Sequence, residues 1–138
     1  MLTDGFSTIK LADFGLGNTF EAASDYVEAS RVIGAALYMA PELFMGKKPQ
    51  FKKDVDVWAF GCIVYELLHF KRLFDGAGVF AQINVSADTR VPFEDHCPNE
   101  LKELVNDCTK KAPKERITIS EVVDRITQIR DSIVDSIG

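Results

Sequence analysis

The sequence predicts a mainly α-helical domain that begins with a short β-hairpin. Between Leu2 and Leu11, two apolar patches flank Asp4-Gly5, a dipeptide typical of tight hairpin turns. Farther along the chain, apolar residues recur at three- and four-residue steps in three separate segments, which is the period of amphipathic helices. The chain has 138 residues, of which 46% are hydrophobic and 27% charged. It can therefore fold as one domain with its own core.

A long irregular segment follows the hairpin and spans residues 13–33. Asn18, Thr19, Ser24, Ser30 and several acids interrupt every apolar period there. Such a loop is uncommon in a compact domain unless it serves as a lid or a switch. Pro41 then opens a helical turn predicted to run to Met45, since the N–H that proline lacks has no helical partner at a first position.

The central helix is the clearest element of the sequence. Asp54 is in place to cap it, and apolar positions repeat over residues 57–68, with further apolar residues on the remaining faces. A helix that is apolar nearly all round belongs in the middle of a domain. We therefore expect it to form the core, with Trp58 buried in it.

Three further helices complete the predicted fold. Residues 79–85 form a short helix in this prediction, and Asn99 caps a helix from Glu100 to Thr109. Thr118 and Glu121 have the spacing of a capping box and open a last helix. Its apolar stripe, expected to face the core, consists of Val122, Ile126, Ile129 and Ile133. After the hairpin, the chain is predicted to be essentially all helix and loop.

Charge, hydropathy and cysteine content limit the class of protein. The net charge of −5 argues against nucleic acid as a partner, since phosphate binding needs clustered Lys and Arg. No apolar run reaches the length of a membrane span, and the first residues do not resemble a signal peptide. Cys62, Cys97 and Cys108 are predicted as free thiols of a reducing compartment, which indicates the cytoplasm. His96 next to Cys97 has no further ligand nearby in the sequence, so we expect no metal site there.

Four motifs in a fixed order indicate a family. They are Lys10-Leu11-Ala12-Asp13-Phe14-Gly15, Gly34-Ala35-Ala36-Leu37-Tyr38-Met39-Ala40-Pro41-Glu42, Asp56-Val57-Trp58-Ala59-Phe60-Gly61 and Pro113-Lys114-Glu115-Arg116. Together they resemble the C-terminal half of a eukaryotic-type protein kinase domain, of the Ser/Thr or tyrosine-kinase-like group. The resemblance covers residues 1–130, makes 13–42 the activation segment and leaves 131–138 as a helix end or tail. It implies the helical subdomain of the kinase C-lobe, which is part of an α+β fold in a whole kinase domain.

The resemblance implies ATP and Mg²⁺ as cofactors of the parent kinase. Asp13 is similar to the carboxylate that binds the Mg²⁺ bridging the nucleotide phosphates, because phosphoryl transfer needs a hard oxygen anion there. A turn-forming Asp is the alternative. Phe14 resembles the side chain whose packing distinguishes active from inactive states, and Gly15 permits a turn that a Cβ would obstruct.

Four hydroxyls of the activation segment are the candidate phosphorylation sites: Thr19, Ser24, Tyr26 and Ser30. Members of the family often order this segment by phosphorylation, whereas solvated polar loop residues are the alternative. Tyr38-Met39 is the form seen in kinases that act on Ser or Thr. Ala35 stands where the family usually has a Thr, so the substrate class depends on Tyr38-Met39 alone.

Three charged residues are implied to hold the domain together. Glu42 and Arg116 resemble the ion pair that ties the activation segment to the lower helices, because a planar guanidinium binds a carboxylate bidentately. Two unrelated surface charges are the alternative. Asp56 is similar to the helix carboxylate that accepts backbone N–H groups of the catalytic loop.

The sequence lacks the other half of the catalytic apparatus of the family it resembles. The glycine-rich loop, the nucleotide-anchoring Lys with its Glu partner, and the catalytic loop with its base and its Mg²⁺-binding Asn do not occur in it. No residue is therefore assigned as a catalytic base, and one hypothesis is that Met1 is an internal methionine of a longer protein. We expect the parent to transfer the γ-phosphoryl group of ATP to protein Ser or Thr. The fragment alone is expected to be inactive, with a protein substrate and the missing kinase N-lobe as its partners.

Two alternatives stand beside this interpretation. The first is a non-catalytic binding module, whose predicted apolar patch consists of Phe74, Val79, Phe80 and Ile83. The second is a truncated piece in which apolar surface around Phe14, Trp58 and Phe60 is exposed and promotes aggregation.

Overall fold

The computed structural model describes residues 2–3, 8–11, 26–28, 38–44, 50–73 and 92–138. The elements in chain order are β1 (Leu2–Thr3), β2 (Ile9–Lys10), β3 (Tyr26–Glu28), a 3-10 turn (Pro41–Phe44), β4 (Gln50–Lys52), α1 (Asp54–His69), α2 (Asn99–Cys108), a second 3-10 turn (Pro113–Glu115) and α3 (Ile119–Ile137). The prediction of a mainly helical fold with an N-terminal hairpin is confirmed. The predicted helix at residues 79–85 lies outside the described residues.

Two small antiparallel sheets accompany the helices. In the N-terminal hairpin, Leu2 pairs with Lys10 and Thr3 with Ile9. The second sheet pairs β3 with β4, so that Tyr26 lies opposite Lys52. The prediction that only helix and loop follow the hairpin is wrong at this sheet. A three-residue strand shows too little alternation to be recognised, and its partner is distant in the sequence.

Helix α1 lies at the centre of the packing, as predicted. Trp58 is 0% exposed, and Val57, Cys62 and Tyr65 are also buried. A Cβ built on Gly61 would lie 2.7 Å from the Cβ of Cys108, so α1 and α2 can approach this closely only because α1 has no side chain at that position.

The predicted starts of two helices are wrong by one residue. Asp54 is the first residue of α1, and Lys53 at the cap position makes no side-chain cap hydrogen bond. Asn99 is likewise the first residue of α2, after Pro98. Asp54 and Glu100 instead place negative charge in the first turns, where the helix dipole favours it.

The capping box of α3 is confirmed in full. The hydroxyl of Thr118 accepts the backbone N–H of Glu121 at 3.2 Å, and the carboxylate of Glu121 accepts the backbone N–H of Thr118 at 2.7 Å. The bond from the Thr118 backbone N–H lowers the pKa of the Glu121 carboxyl. The start of α3 is thus fixed by its own sequence.

The core consists of two clusters of buried side chains. One contains Ala40, Trp58 and Cys62, and the other contains Val57, Leu104, Cys108 and Val122. The apolar stripe predicted for α3 is only partly correct. Val122 is buried and Ile129 packs against the second cluster, but Ile126 and Ile133 are exposed. A stripe identifies the apolar face of a helix but not how much of that face its neighbours cover.

In the part of the chain that the structure describes, no helix combines the length and the apolar character that crossing a membrane requires.

Candidate functional site

A buried ion pair joins the Ala40-Pro41-Glu42 motif to the motif that ends at Arg116. The two Nη atoms of Arg116 donate to the two carboxylate oxygens of Glu42, at 2.6 and 2.7 Å. The Arg116 side chain is 0% exposed and that of Glu42 is 24% exposed. The structure therefore brings together these two predicted site residues, which are distant in sequence, in the bidentate geometry that planar guanidinium groups favour.

Arg116 also binds three backbone carbonyls. Its Nε donates to the carbonyl of Lys110 at 2.7 Å, while Nη1 and Nη2 donate to those of Asp54 and Lys111 at 3.2 Å each. With the two bonds to Glu42, every one of the guanidinium N–H groups has an acceptor. A buried charge without such partners would be strongly destabilising.

The same guanidinium covers the indole of Trp58. The Arg116 Cζ lies 5.0 Å from the centre of the Trp58 ring, within the range of a cation–π contact. The expectation that truncation exposes apolar surface around Trp58 is therefore wrong. Phe60 is half-buried and packs against the second core cluster.

Tyr38, two residues before Ala40, binds to α1. Its hydroxyl donates to a carboxylate oxygen of Glu66. This hydrogen bond, together with burial and the charge of Glu66, raises the pKa of the Tyr38 hydroxyl, and Arg72 opposes the shift. The two residues line a cavity of about 320 Å³ with Ile63 and Leu67. In the sequence, Tyr38 indicated only the substrate class. Its contact with Glu66 was not predicted, because no local pattern indicates a contact between residues so far apart in the chain.

Asp56 lies on the exposed side of the first turn of α1. Atoms packed around it desolvate the carboxyl and raise its pKa. Because the ionised carboxylate has lost water, hydrogen-bond donors would stabilise it. The role implied by the resemblance, acceptance of catalytic-loop N–H groups, stays a prediction.

The other predicted site residues are not described. Asp13, Phe14, Gly15, Thr19, Ser24 and Ser30 lie outside the described residues, as does the patch predicted around Phe74 and Phe80. The backbone of Tyr26 is described, in β3, but not its side chain. No group of three or more His, Cys, Asp or Glu residues suited to a metal ion occurs in the described ranges.

A further polar cluster at the end of α1 was not predicted. The backbone N–H of Glu94 donates to Nε2 of His69 at 3.2 Å, so Nδ1 carries the proton and faces the carbonyl of Tyr65 at 3.1 Å. The rings of His69 and Tyr65 stack 4.1 Å apart, and Cys97 Sγ lies 3.5 Å from His69 Nε2. These contacts hold residues 92–97 against α1. The lone pair that a metal would need on Nε2 is already used.

The cysteines are free and buried. Burial raises the pKa of the Cys62 and Cys108 thiols to about 12. Both thiols are therefore protonated at neutral pH and chemically inert.

Comparison with known proteins assigns the family. The model of the protein kinase domain family matches residues 1–126. Serine/threonine-protein kinase Nek9 of Xenopus laevis is 35% identical over 125 residues, which is 85% of this chain and 12% of that protein. Serine/threonine-protein kinase Nek8 of Danio rerio is 31% identical over 123 residues, or 88% of this chain and 17% of that protein. Serine/threonine-protein kinase nekl-2 of Caenorhabditis elegans is 31% identical over 118 residues, or 85% of this chain and 32% of that protein.

The chain thus spans a third or less of these relatives. The family match includes all four motifs that the sequence carries, and it includes both partners of the buried ion pair. The chain belongs to the protein kinase domain family.

Proposed function

We propose that these residues are the lower part of a protein serine/threonine kinase domain. The parent protein transfers the γ-phosphoryl group of ATP to Ser or Thr side chains of protein substrates. The observation that carries this proposal is the buried Glu42–Arg116 pair, which fixes the end of the activation segment against α1. The three relatives are serine/threonine-protein kinases by name, and this supports Ser and Thr as the acceptors, as does the Tyr38-Met39 dipeptide.

In this proposal the site residues divide into three groups. Asp13 holds Mg²⁺, which supplies charge neutralisation for the phosphate oxygens when it is bound. Phe14 and Gly15 set the conformation after it. Thr19, Ser24, Tyr26 and Ser30 are the sites at which phosphorylation orders the activation segment. Asp56 accepts backbone N–H groups of a catalytic loop.

The 138 residues alone do not catalyse the reaction in this proposal. Catalysis of phosphoryl transfer depends on positioning and electrostatic stabilisation, and the sequence contains neither a catalytic loop nor a nucleotide-anchoring Lys. We expect nucleotide affinity no tighter than millimolar.

A radiometric assay tests the proposed inactivity. The purified chain is incubated with labelled ATP, Mg²⁺ and a mixture of Ser- and Thr-containing peptides, with Asp13→Ala as the matched control. Equal label in both samples is expected. Phosphorylation that exceeds the Asp13→Ala control contradicts the proposal.

Transcript sequencing tests whether a longer parent protein exists. In-frame codons upstream of Met1 that encode a catalytic loop support it, and an in-frame stop directly upstream counts against it.

A second candidate is a non-catalytic module that binds a protein partner. It is favoured by the closed core, in which Trp58 and Leu104 are fully buried within this chain. Capture of a partner that persists after deletion of residues 13–42 supports this candidate. Elution in the void volume during size-exclusion chromatography contradicts it, because a module must be well folded.

For either candidate we propose a cytoplasmic location, where reduced thiols persist, and no nucleic-acid partner.

A further inference from the structure

The exposed side of α3 carries an apolar seam that the core does not use. Five of its residues are 38% to 81% exposed: Ile119, Val123, Ile126, Ile133 and Ile137. Positions 119, 123, 126, 130, 133 and 137 are separated by alternating steps of four and three residues, and Arg130 is the one residue of this series that is not apolar. This heptad pattern is characteristic of helices that pair side by side. Val134, which is 60% exposed, widens the seam.

The helix behind the seam is already held in place. The Thr118–Glu121 capping box fixes its start, Val122 is buried in the core, and Arg125 donates to Asp107 of α2 at 2.5 Å. The helix has 19 residues, a length of about 28 Å. Docking on this side therefore does not have to offset the cost of forming the helix.

We propose that this seam pairs with the same seam of a second copy of the chain, in antiparallel orientation. A two-fold axis beside residue 128 places Ile119 against Ile137 and Val123 against Ile133 of the other copy. Each apolar residue of one helix then meets an apolar residue of the other, except that Ile126 meets the aliphatic stem of Arg130. Such a contact is isologous and closes at two copies.

Arg130 decides the orientation. In a parallel pair the two Arg130 side chains would lie in the same layer and repel each other. In the antiparallel pair each lies beside Ile126, and its guanidinium stays at the edge, where Asp131 already binds it at 2.8 and 2.9 Å. Long basic side chains cover apolar surface in this way while their charge remains in water.

The residues that flank the seam favour a second copy over a different partner. Heptad pairs that select a foreign partner carry charges at the flanking positions. Here the outer flank consists of Ser120, Thr127 and Val134, and the inner flank contains Val122 and Ile129, which face the core. An acidic chain with a net charge of −5 can approach a copy of itself along this strip, because its flanks are uncharged and Asp131 binds the one charged seam residue, Arg130.

The size of the seam predicts a weak, reversible dimer. A fully exposed Ile or Val side chain presents on the order of 100 Å² of apolar surface. Six residues exposed by roughly half give about 300 Å² of apolar surface per copy. Interfaces are about 57% apolar, so the dimer buries on the order of 1,000 Å² in total, which is the lower end for specific pairing. The inference does not depend on the proposed kinase function.

Sedimentation equilibrium from micromolar to millimolar concentration tests the proposal. The average mass of the wild type should rise toward that of two chains, whereas Ile133→Glu should stay monomeric at every concentration. Gln128→Glu is the matched control, since it adds the same charge on the same helix outside the seam, and it should behave as the wild type. Arg130→Leu should lower the concentration of half-dimerisation about tenfold, because an apolar residue then completes the seam.

Orientation is tested by cross-linking. A mixture of Val123→Cys and Ile133→Cys chains should form a covalent dimer on oxidation faster than either variant alone, because these two positions face each other in the antiparallel pair. The native cysteines are buried and should not contribute to cross-linking. Far-UV circular dichroism checks that each variant is folded. If Ile133→Glu is unfolded, Ile137→Glu, at the exposed end of the helix, replaces it. A wild type that stays monomeric at millimolar concentration overturns the proposal. The proposal is also overturned if Ile133→Glu and Gln128→Glu dimerise equally, or if each Cys variant cross-links faster with itself than with the other.

Discussion

The contact between α1 and α2 at Gly61 predicts a large effect of one methyl group. A Cβ at position 61 would lie 2.7 Å from Cys108 Cβ and 2.9 Å from Thr109 Cγ2. Neither atom can move aside easily. Cys108 Cβ is fixed to the backbone of α2, and the Thr109 hydroxyl donates to the carbonyl of Val105 at 2.8 Å, which holds the Thr109 rotamer. Gly61→Ala must therefore push the two helices apart.

The magnitude follows from two opposing effects. Carbon atoms pack best at about 3.5–4.0 Å, so the helices must separate by roughly 1 Å. Overpacking of this kind costs about 1–3 kcal/mol, and the contact at Gly61 belongs at the upper end because backbone-fixed atoms collide. Ala favours the helix by about 1 kcal/mol over Gly. We expect a net loss of about 2 kcal/mol in the free energy of unfolding.

Urea denaturation followed by the fluorescence of Trp58, the one Trp of the sequence, measures this loss. Ser132→Ala, on the exposed surface of α3, is the control and should change stability by less than about 0.5 kcal/mol. Cys108→Gly removes one of the two opposing atoms and leaves the contact with Thr109 Cγ2, so Gly61→Ala should cost less in that background but still destabilise the fold. A Gly61→Ala chain as stable as the wild type would refute the packing at this crossing.

Three further predictions concern the rest of the described structure. Thr118→Ala removes the capping box of α3 and should lower the free energy of unfolding by about 1 kcal/mol, measured by urea denaturation against Thr127→Ala as control. Tyr38→Phe should cost about 1 kcal/mol, because Glu66 loses its donor; an unchanged urea midpoint would exclude the contact. The folded thiols of Cys62 and Cys108 have pKa values of about 12 against an ordinary value of 9.0. Unfolding releases their protons at lower pH, so stability should fall as pH rises from about 9 toward 12. This fall should be shallower in a Cys62→Ala variant, and identical pH profiles would contradict the burial of that thiol.

The features that the sequence alone predicts are those set by local chemistry. The N-terminal hairpin was predicted from the apolar patches on either side of Asp4-Gly5, but the pairing of Thr3 with Ile9 leaves five residues between the strands instead of the two of a tight turn. The apolar surface of α1 and the capping box of Thr118 and Glu121 depend on residues within one or two turns of each other. Such patterns specify an element whatever the rest of the chain does.

Contacts between distant residues are not visible in such patterns. Nothing local to Tyr26 indicates its pairing opposite Lys52, and nothing local to His69 indicates that Glu94 binds it. Tertiary packing decides both. The contact of Glu42 with Arg116 was expected only from the resemblance to a family, because two charges far apart in a sequence carry no spatial information of their own.

The central claim is that the buried Glu42–Arg116 pair ties the activation-segment end to the helical core. A double-mutant cycle with Glu42→Ala and Arg116→Ala, measured by urea denaturation, tests it most directly. Each single variant should lose about 3 kcal/mol or more, since a partner is left buried and unpaired. The double variant should lose clearly less than the two single losses together, with a coupling of about 2 kcal/mol. Single losses below about 0.5 kcal/mol that simply add would contradict the account.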